Sequence, residues 1–243
     1  MQFKLFLMIT IVLASGIAIA GQYETDTFET KNHHKLTINF IKHGSLMINF
    51  DDFIIQVDPV SMFANYSTFP KADLILITHE HDDHLDTEAI KALMKPNTLL
   101  IANEASLKRL GKLKTKVMKN GDRLDVSNQI SIEAIPAYNT TKGHEHFHPS
   151  HRDNGYILTI DGLKIYIAGD TEDIPEMKNL KNIDIAFLPV NQPYTMTVAQ
   201  AINAAKIISP KVLYPYHFGN TNVKQIQEGL KNSGIDVRLR KME

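Results

Sequence analysis

The residues able to do chemistry crowd into one turn. After the apolar run Leu74-Ile75-Leu76-Ile77, positions 78–86 read Thr-His-Glu-His-Asp-Asp-His-Leu-Asp, with three histidines and two aspartates between His79 and His84. The run has the length and β-branched content of a strand. Asp86 reads as the N-cap of a helix carrying Ala89, Ile90, Leu93 and Met94 at helical spacing. The cluster is therefore placed at the C-terminal end of a buried strand, where open α/β sheets put their chemistry. Alternate side chains of an extended segment share a side, so His79 and His81 can grip one cation. Asp83 and His84 come after the chain has begun to turn and can reach a second. Neutral imidazole and carboxylate suit Zn²⁺ best, and also Mn²⁺, Fe²⁺ or Ni²⁺, so one or two divalent ions are expected.

The rest of the chain must hold that turn in place. Its 243 residues, 43% hydrophobic and 22% charged, are ample for a globular α/β core, and a net charge of −1 offers no electrostatic case for nucleic acid or an anionic membrane. No cysteine is present, so any metal site must use nitrogen and oxygen donors. Lys4, the apolar stretch Leu5 to Ala20 and Ala18-Ile19-Ala20 before Gly21 read as a cleaved signal peptide over residues 1–20, which predicts an exported, periplasmic or secreted protein without stable membrane insertion. Gln22 to Lys35 is polar and aperiodic and reads as a loose lead-in. Strands follow at Leu36–Ile41, Ser45–Phe50 and Phe53–Asp58; Val60 to Pro70 is a loop whose Met62, Phe63, Tyr66 and Phe69 line either a substrate cleft or a satellite core. Beyond the metal turn, Thr98–Ala102 is a strand and Asn103 caps a helix to Leu110. Strands then run near Lys114–Met118 and Gln129–Ala137, with a hairpin across Asp161-Gly162. Ile183–Val190 is a buried strand, Thr197 and Gln200 form a capping box for a helix to Ile208, and Lys211–Tyr216 and Ile235–Arg240 are the last strands. Strands first and strand–helix alternation after, twice over, predict two sheets face to face with helices outside, in one domain over residues 36–243.

His79, His81, Asp83 and His84 match the first metal motif of the metallo-β-lactamase fold superfamily, which the chain resembles. The segments around Lys42-His43-Gly44-Ser45, Pro136-Ala137-Tyr138-Asn139, Ala168-Gly169-Asp170-Thr171, Tyr194-Thr195-Met196-Thr197 and Pro215-Tyr216-His217-Phe218-Gly219 are most similar to a branch of small metal-dependent hydrolases related to L-ascorbate-6-phosphate lactonases. The resemblance implies a four-layer α/β/β/α sandwich, with Asp170 bridging two ions and His217 completing the second beside Asp83 and His84. It implies that His43 lies near the metals and contacts substrate or leaving group. In the expected mechanism His43 donates to the developing oxyanion, Asp83 orients the nucleophile, and Asn139 and Tyr194 are candidates to meet the substrate. The superfamily usually has a third histidine ligand where this chain has Asn139. The loop beyond holds His144, His146, His148 and His151, and His148 is the expected replacement because Pro149 keeps it extended. The expected activity is metal-assisted hydrolysis of an ester, lactone, amide or phosphodiester in a small molecule. The alternatives are an exported β-lactamase and a metal-binding or sensing protein without turnover.

Overall fold

Strands that are apolar at nearly every position cannot face water on either side, and this chain buries them in two stacked sheets. The computed structural model describes residues 22–243; the expected signal peptide and its cleavage site lie outside the described residues. The first sheet holds, in order, β1 (Glu24–Glu29), β2 (Lys35–Lys42), β3 (Ser45–Phe50), β4 (Phe53–Val57), β5 (Leu74–Leu76), β6 (Leu99–Ala102) and β7 (Thr115–Val117). The second holds β8 (Arg123–Asp125), β9 (Ile130–Ala137), β10 (Asp153–Ile160), β11 (Leu163–Ile167), β12 (Ile185–Pro189), β13 (Val212–Tyr216) and β14 (Asp236–Val237). In the first sheet β1 to β4 are antiparallel and β4 to β7 parallel. The second repeats the scheme, with β8 to β11 antiparallel and β11 to β14 parallel. The parallel halves matter most, because their strands all end at one edge.

Alternation along β5 makes the layers. Leu74 and Leu76 enter the core between the sheets, whereas Ile75 and Ile77 join a second cluster with Ile90 and Leu93 of α1 (Thr87–Leu93) on the outer face. After the single turn α2 (Leu107–Leu110), α3 (Val198–Ile208) and α4 (Lys224–Gly229) pack on the second sheet, α3 burying Ala201, Ala204, Ala205 and Ile208. This is the four-layer α/β/β/α sandwich. Asp86 caps α1 by accepting from the N–H groups of Glu88 and Ala89, and Thr197 with Gln200 forms the expected capping box. Asp161 and Gly162 both take positive φ and pair Ile160 with Leu163 across a tight hairpin.

Several expectations need correction. Gln22 to Lys35 is not a loose lead-in, because β1 lies inside it and pairs with β2 along its length. An edge strand facing solvent needs no apolar alternation, so composition hid it. The Asn103 helix is only a turn at Leu107–Leu110. Asn103 accepts from the N–H and hydroxyl of Ser106 and so caps the bend before that turn. The last strand is only Asp236–Val237, and β8 was not foreseen. Of the four loop residues, Tyr66 and Phe69 are buried in the outer core, while Met62 is exposed and Phe63 lies against His43 with ring centroids 5.2 Å apart.

β1 also clasps the C-terminus. The Asp26 carboxylate accepts from Arg238 at 3.1 Å, from Arg240 at 2.5 Å and from the Tyr214 hydroxyl, and Arg240 lies over the Phe40 ring at 5.4 Å. Replacing Asp26 by Ala leaves two guanidinium groups and a phenol without their acceptor. It is expected to lower stability by about 1.5–3 kcal/mol, the range for hydrogen bonds to charged groups, as read from the urea midpoint at unchanged slope. A loss below about 0.5 kcal/mol would assign the clasp to the apolar packing of β1.

Candidate metal centre

Four strand ends converge at the edge where the parallel strands stop. Asp58 follows β4, His79 to His84 follow β5, Asp170 follows β11 and His217 follows β13. Asp170 stands at the middle, 2% exposed. Its Oδ2 lies 3.2 Å from His217 Nε2, 3.4 Å from His148 Nε2 and 4.0 Å from His79 Nε2, and its Oδ1 lies 3.4 Å from His84 Nε2. Around it the donors form two groups, His79, His81 and His148 on one side and His43, Asp83, His84 and His217 on the other. Every residue expected as a ligand is therefore in the cluster, His148 included. His144 is partly buried at the loop base with Nδ1 3.7 Å from Glu172, and His146 and His151 are exposed.

The backbone explains why His148 arrives there. The Asn139 N–H donates to the His148 carbonyl at 2.8 Å, so the residue in the usual histidine's place holds the loop segment that carries His148. The side chain of Asn139 is turned into the loop, its amide donating to the carbonyls of Tyr194 at 2.7 Å and His144 at 3.3 Å. Glu172 ties the loop base by accepting from the N–H groups of Thr140 and Thr141. Tyr194 is exposed and packs edge-on to Phe147 at 4.9 Å.

Three of the imidazoles are aimed by a partner on the far nitrogen. His148 Nδ1 donates to Asp153 Oδ2 at 3.1 Å, His84 Nδ1 to Asp58 Oδ2 at 2.8 Å, and His79 Nδ1 to Thr78 Oγ1 at 2.9 Å. The Thr78 hydroxyl in turn donates to Asp58 at 2.7 Å. These bonds fix the tautomers and leave three Nε2 lone pairs facing Asp170. His81 instead presents Nδ1, 3.1 Å from His79 Nε2. Neither Asp58 nor Asp153 was singled out from the sequence. Asp58 did carry a signal, because it ends an apolar strand before Pro59 as Asp170 ends one after Gly169. Gly44 completes the packing, since a Cβ there would lie 2.8 Å from His84 Cε1.

The fit to divalent metal can be tested on these distances. Four donors about 2.0–2.1 Å from one Zn²⁺ at tetrahedral angles stand about 3.3 Å apart. The observed separations of 3.1 Å for His79–His81, 3.4 Å for His148–Asp170 and His84–Asp170, and 3.2 Å for His217–Asp170 bracket that value. His84 Nε2, His217 Nε2 and Asp170 Oδ1 are buried without a hydrogen bond, a costly arrangement that a cation would relieve. The residues fit the ions.

Proton affinities divide the cluster. Burial, together with the neighbouring histidines, pushes His79 well below 6.5 and lowers His81. Burial opposes charge on His217 as well, but Asp170 and Asp83 overcome it and raise that imidazole to about 10. Burial likewise opposes charge on His84, yet Asp170 and Asp58 raise it. Burial would raise Asp170, and His217 and His84 instead hold it well below the usual carboxylate range. Within the second group, His84 and His217 thus favour their charged forms beside Asp170, while burial lowers His43. Around the turn, Arg152 pairs with Asp153 at 2.7 Å and Glu80 at 3.2 Å, and Arg109 pairs with Asp82 and the carbonyls of Glu80 and Leu85.

The comparisons agree with this geometry. Residues 37–217 match the family model described as Beta-lactamase superfamily domain. A protein of Enterococcus faecalis named UPF0173 metal-dependent hydrolase is 34% identical over 183 residues, covering 72% of this chain and 80% of the relative. The crystal structure of a candidate metal-dependent hydrolase from Parabacteroides distasonis superposes with a TM-score of 0.89 at 63% identity, covering 91% of this chain and all of the other. Igni18, a metallo hydrolase of Ignicoccus hospitalis, shares the fold at 22% identity and a TM-score of 0.67, over 85% of this chain and 95% of its own. With the motif after β5, the central position of Asp170 among the clustered histidines and these relatives in agreement, the chain belongs to the β-lactamase superfamily, among its metal-dependent hydrolases.

Proposed function

We propose that this hydrolase is exported and cleaves a carbonyl-centred bond, an ester or a lactone, in a small molecule, with two Zn²⁺ ions as its cofactor. The observation that carries the reading is the meeting of two donor groups at Asp170. His79, His81 and His148 with one carboxylate oxygen would hold one ion, and Asp83, His84 and His217 with the other oxygen would hold the second. Bound there, divalent ions lower the pKa of water from about 15.7 towards about 7 and polarise the substrate oxygen. Asp83 is the exposed member of the group, its side chain 40% accessible, and can accept a hydrogen bond from the attacking water while it remains ionised. Burial would raise its carboxyl, but the neighbouring imidazoles of His217 and His43 hold it well below the usual range.

The choice of a carbonyl centre follows from the arginines. Both guanidinium groups bordering the metal turn are committed, Arg152 to Asp153 and Glu80 and Arg109 to Asp82. A phosphodiester is usually clamped by free, bidentate guanidinium, and neither arginine is free for that. A groove of about 390 Å³ adjoins the turn, lined by Val60, Met62 and Leu85 together with the polar Asp82, Asp86, Thr87 and Arg109, and has room for a substituent of the substrate.

The test is a screen of the metal-loaded protein against esters, lactones, amides, phosphodiesters and a chromogenic β-lactam. Turnover of esters or lactones that chelation abolishes and Zn²⁺ restores is expected; phosphodiester turnover alone would overturn the carbonyl assignment. Metal uptake without turnover of any class would favour a sensing role. Export rests on the sequence of residues 1–20 and predicts a mature chain beginning at or near Gly21, to be checked by intact mass of material recovered outside the cytoplasm. Full-length protein in the membrane fraction would instead show that the segment is retained as an anchor.

A further inference from the structure

We propose that His43 is a metal ligand, the fourth side chain of the second group, and not a hydrogen-bond donor standing beside it. The inference rests on the two-ion reading above and adds a residue to it. His43 Nε2 lies 3.1 Å from Asp83 Oδ2, the same oxygen that lies 3.6 Å from His217 Nε2. His43, Asp83, His84 and His217 each offer one donor atom, and all four atoms lie within 4.8 Å of one another. A histidine that served an oxyanion would present its N–H to the space that substrate occupies. This one presents it to a carboxylate that is itself a ligand candidate, and a cation fits between them.

The backbone is built to bring the imidazole there. His43 and His217 both sit in the left-handed region, at φ 57° and 46°, where a non-glycine residue is strained and is retained only under constraint from its surroundings. The two are tied directly, the His217 N–H donating to the His43 carbonyl at 3.2 Å, and their ring centroids are 3.6 Å apart. His43 belongs to the turn between β2 and β3 in the first sheet and His217 to the end of β13 in the second, so the contact joins the two sheets over the site. Gly44 lets the same turn pass against the His84 ring. Phe63 backs the outer side of His43, whose own side chain is only 14% exposed, so the imidazole has little freedom to swing out.

One chemical consequence follows. The second group then offers four side-chain donors before Asp170 is counted, and the first group three. Zinc sites closed by four protein ligands hold the ion structurally, whereas catalytic sites keep a position open. With one oxygen of Asp170 added to each, the second group offers five donors and the first four, so the second ion would be the more firmly anchored.

The experiment is titration of the metal-stripped protein with Co²⁺, followed by d–d absorption and by ion content after dialysis. The native chain is expected to take up two ions in two phases. His148→Ala weakens one phase. His43→Gln weakens the other by more than about a hundredfold, beyond the 10–100-fold that losing an outer partner costs, with reduced d–d absorbance. The phase lost in His148→Ala stays intact in His43→Gln, which shows the variant folded. Added imidazole is expected to restore the lost phase in His43→Ala. A native chain that binds one ion overturns the two-ion reading itself. Two ions in the native chain with the second phase of His43→Gln within a hundredfold of native overturns His43 alone, as does loss of both phases in both variants without rescue by imidazole.

Discussion

Replacing His148 by Ala is expected to remove one of two bound ions and to lower turnover at least about a hundredfold, whereas His144→Ala and His146→Ala leave both unchanged. The loop beyond β9 offers several imidazoles, but only that of His148 is 1% exposed, faces Asp170 at 3.4 Å and has its other nitrogen held by a buried carboxylate. Loss of an outer partner alone costs about 10–100-fold in metal affinity or activity, so loss of the ligand must exceed that. Asp153→Asn, which keeps the shape and removes the charge behind the ring, is expected to fall within the 10–100-fold range. Metal content by mass spectrometry with turnover on the same samples checks both. Unchanged metal in His148→Ala would return the first ion to His79, His81 and Asp170 alone.

What could be read from the sequence, and what could not, divides by range. The metal turn, the Asp161-Gly162 hairpin and the Thr197 capping box are local: each depends on residues within a few positions, and each stands where the pattern puts it. Asp170 and His217 were legible because an apolar strand that ends abruptly in a charged residue needs a reason. His148 needed an argument from proline stiffness, and its position depends on a backbone bond from Asn139 that no spacing shows. Asp153 is silent in sequence and Asp58 shows only as the end of an apolar strand, since their work is to hold one ring nitrogen each, across 5 and 26 positions of chain. β1 was missed for the opposite reason. Its residues alternate between exposed and half-buried, and its value lies in Asp26, whose partners Arg238 and Arg240 come from the far end of the chain.

Asp170→Asn is expected to abolish tight binding of both ions and all metal-dependent turnover, because one isosteric change removes the carboxylate that, among the described residues, faces both donor groups. The same substitution has a second readout in metal-stripped protein, where the sign can be worked out from the proton affinities. His217 at about 10, and His84, are raised above the ordinary 6.5, so their contribution to stability is complete below about pH 6.5 and is lost as pH rises towards 10. His79, His81 and His43 are lowered by burial, so their contribution is present above about pH 6.5 and is lost as acid protonates the unfolded chain. The metal-free protein should therefore be most stable near pH 6.5 and fall away on both sides. In Asp170→Asn the leading attraction on His217 and His84 is gone, so the alkaline loss shrinks. The acid loss steepens, because His79 and His81 lose the same attraction. The stability maximum must then move to higher pH. Thermal unfolding of chelator-treated protein from about pH 5 to pH 10 reads this directly. A maximum that stays in place in the Asn variant would mean that Asp170 does not organise the charge of the site, and the bridging role would fall with it.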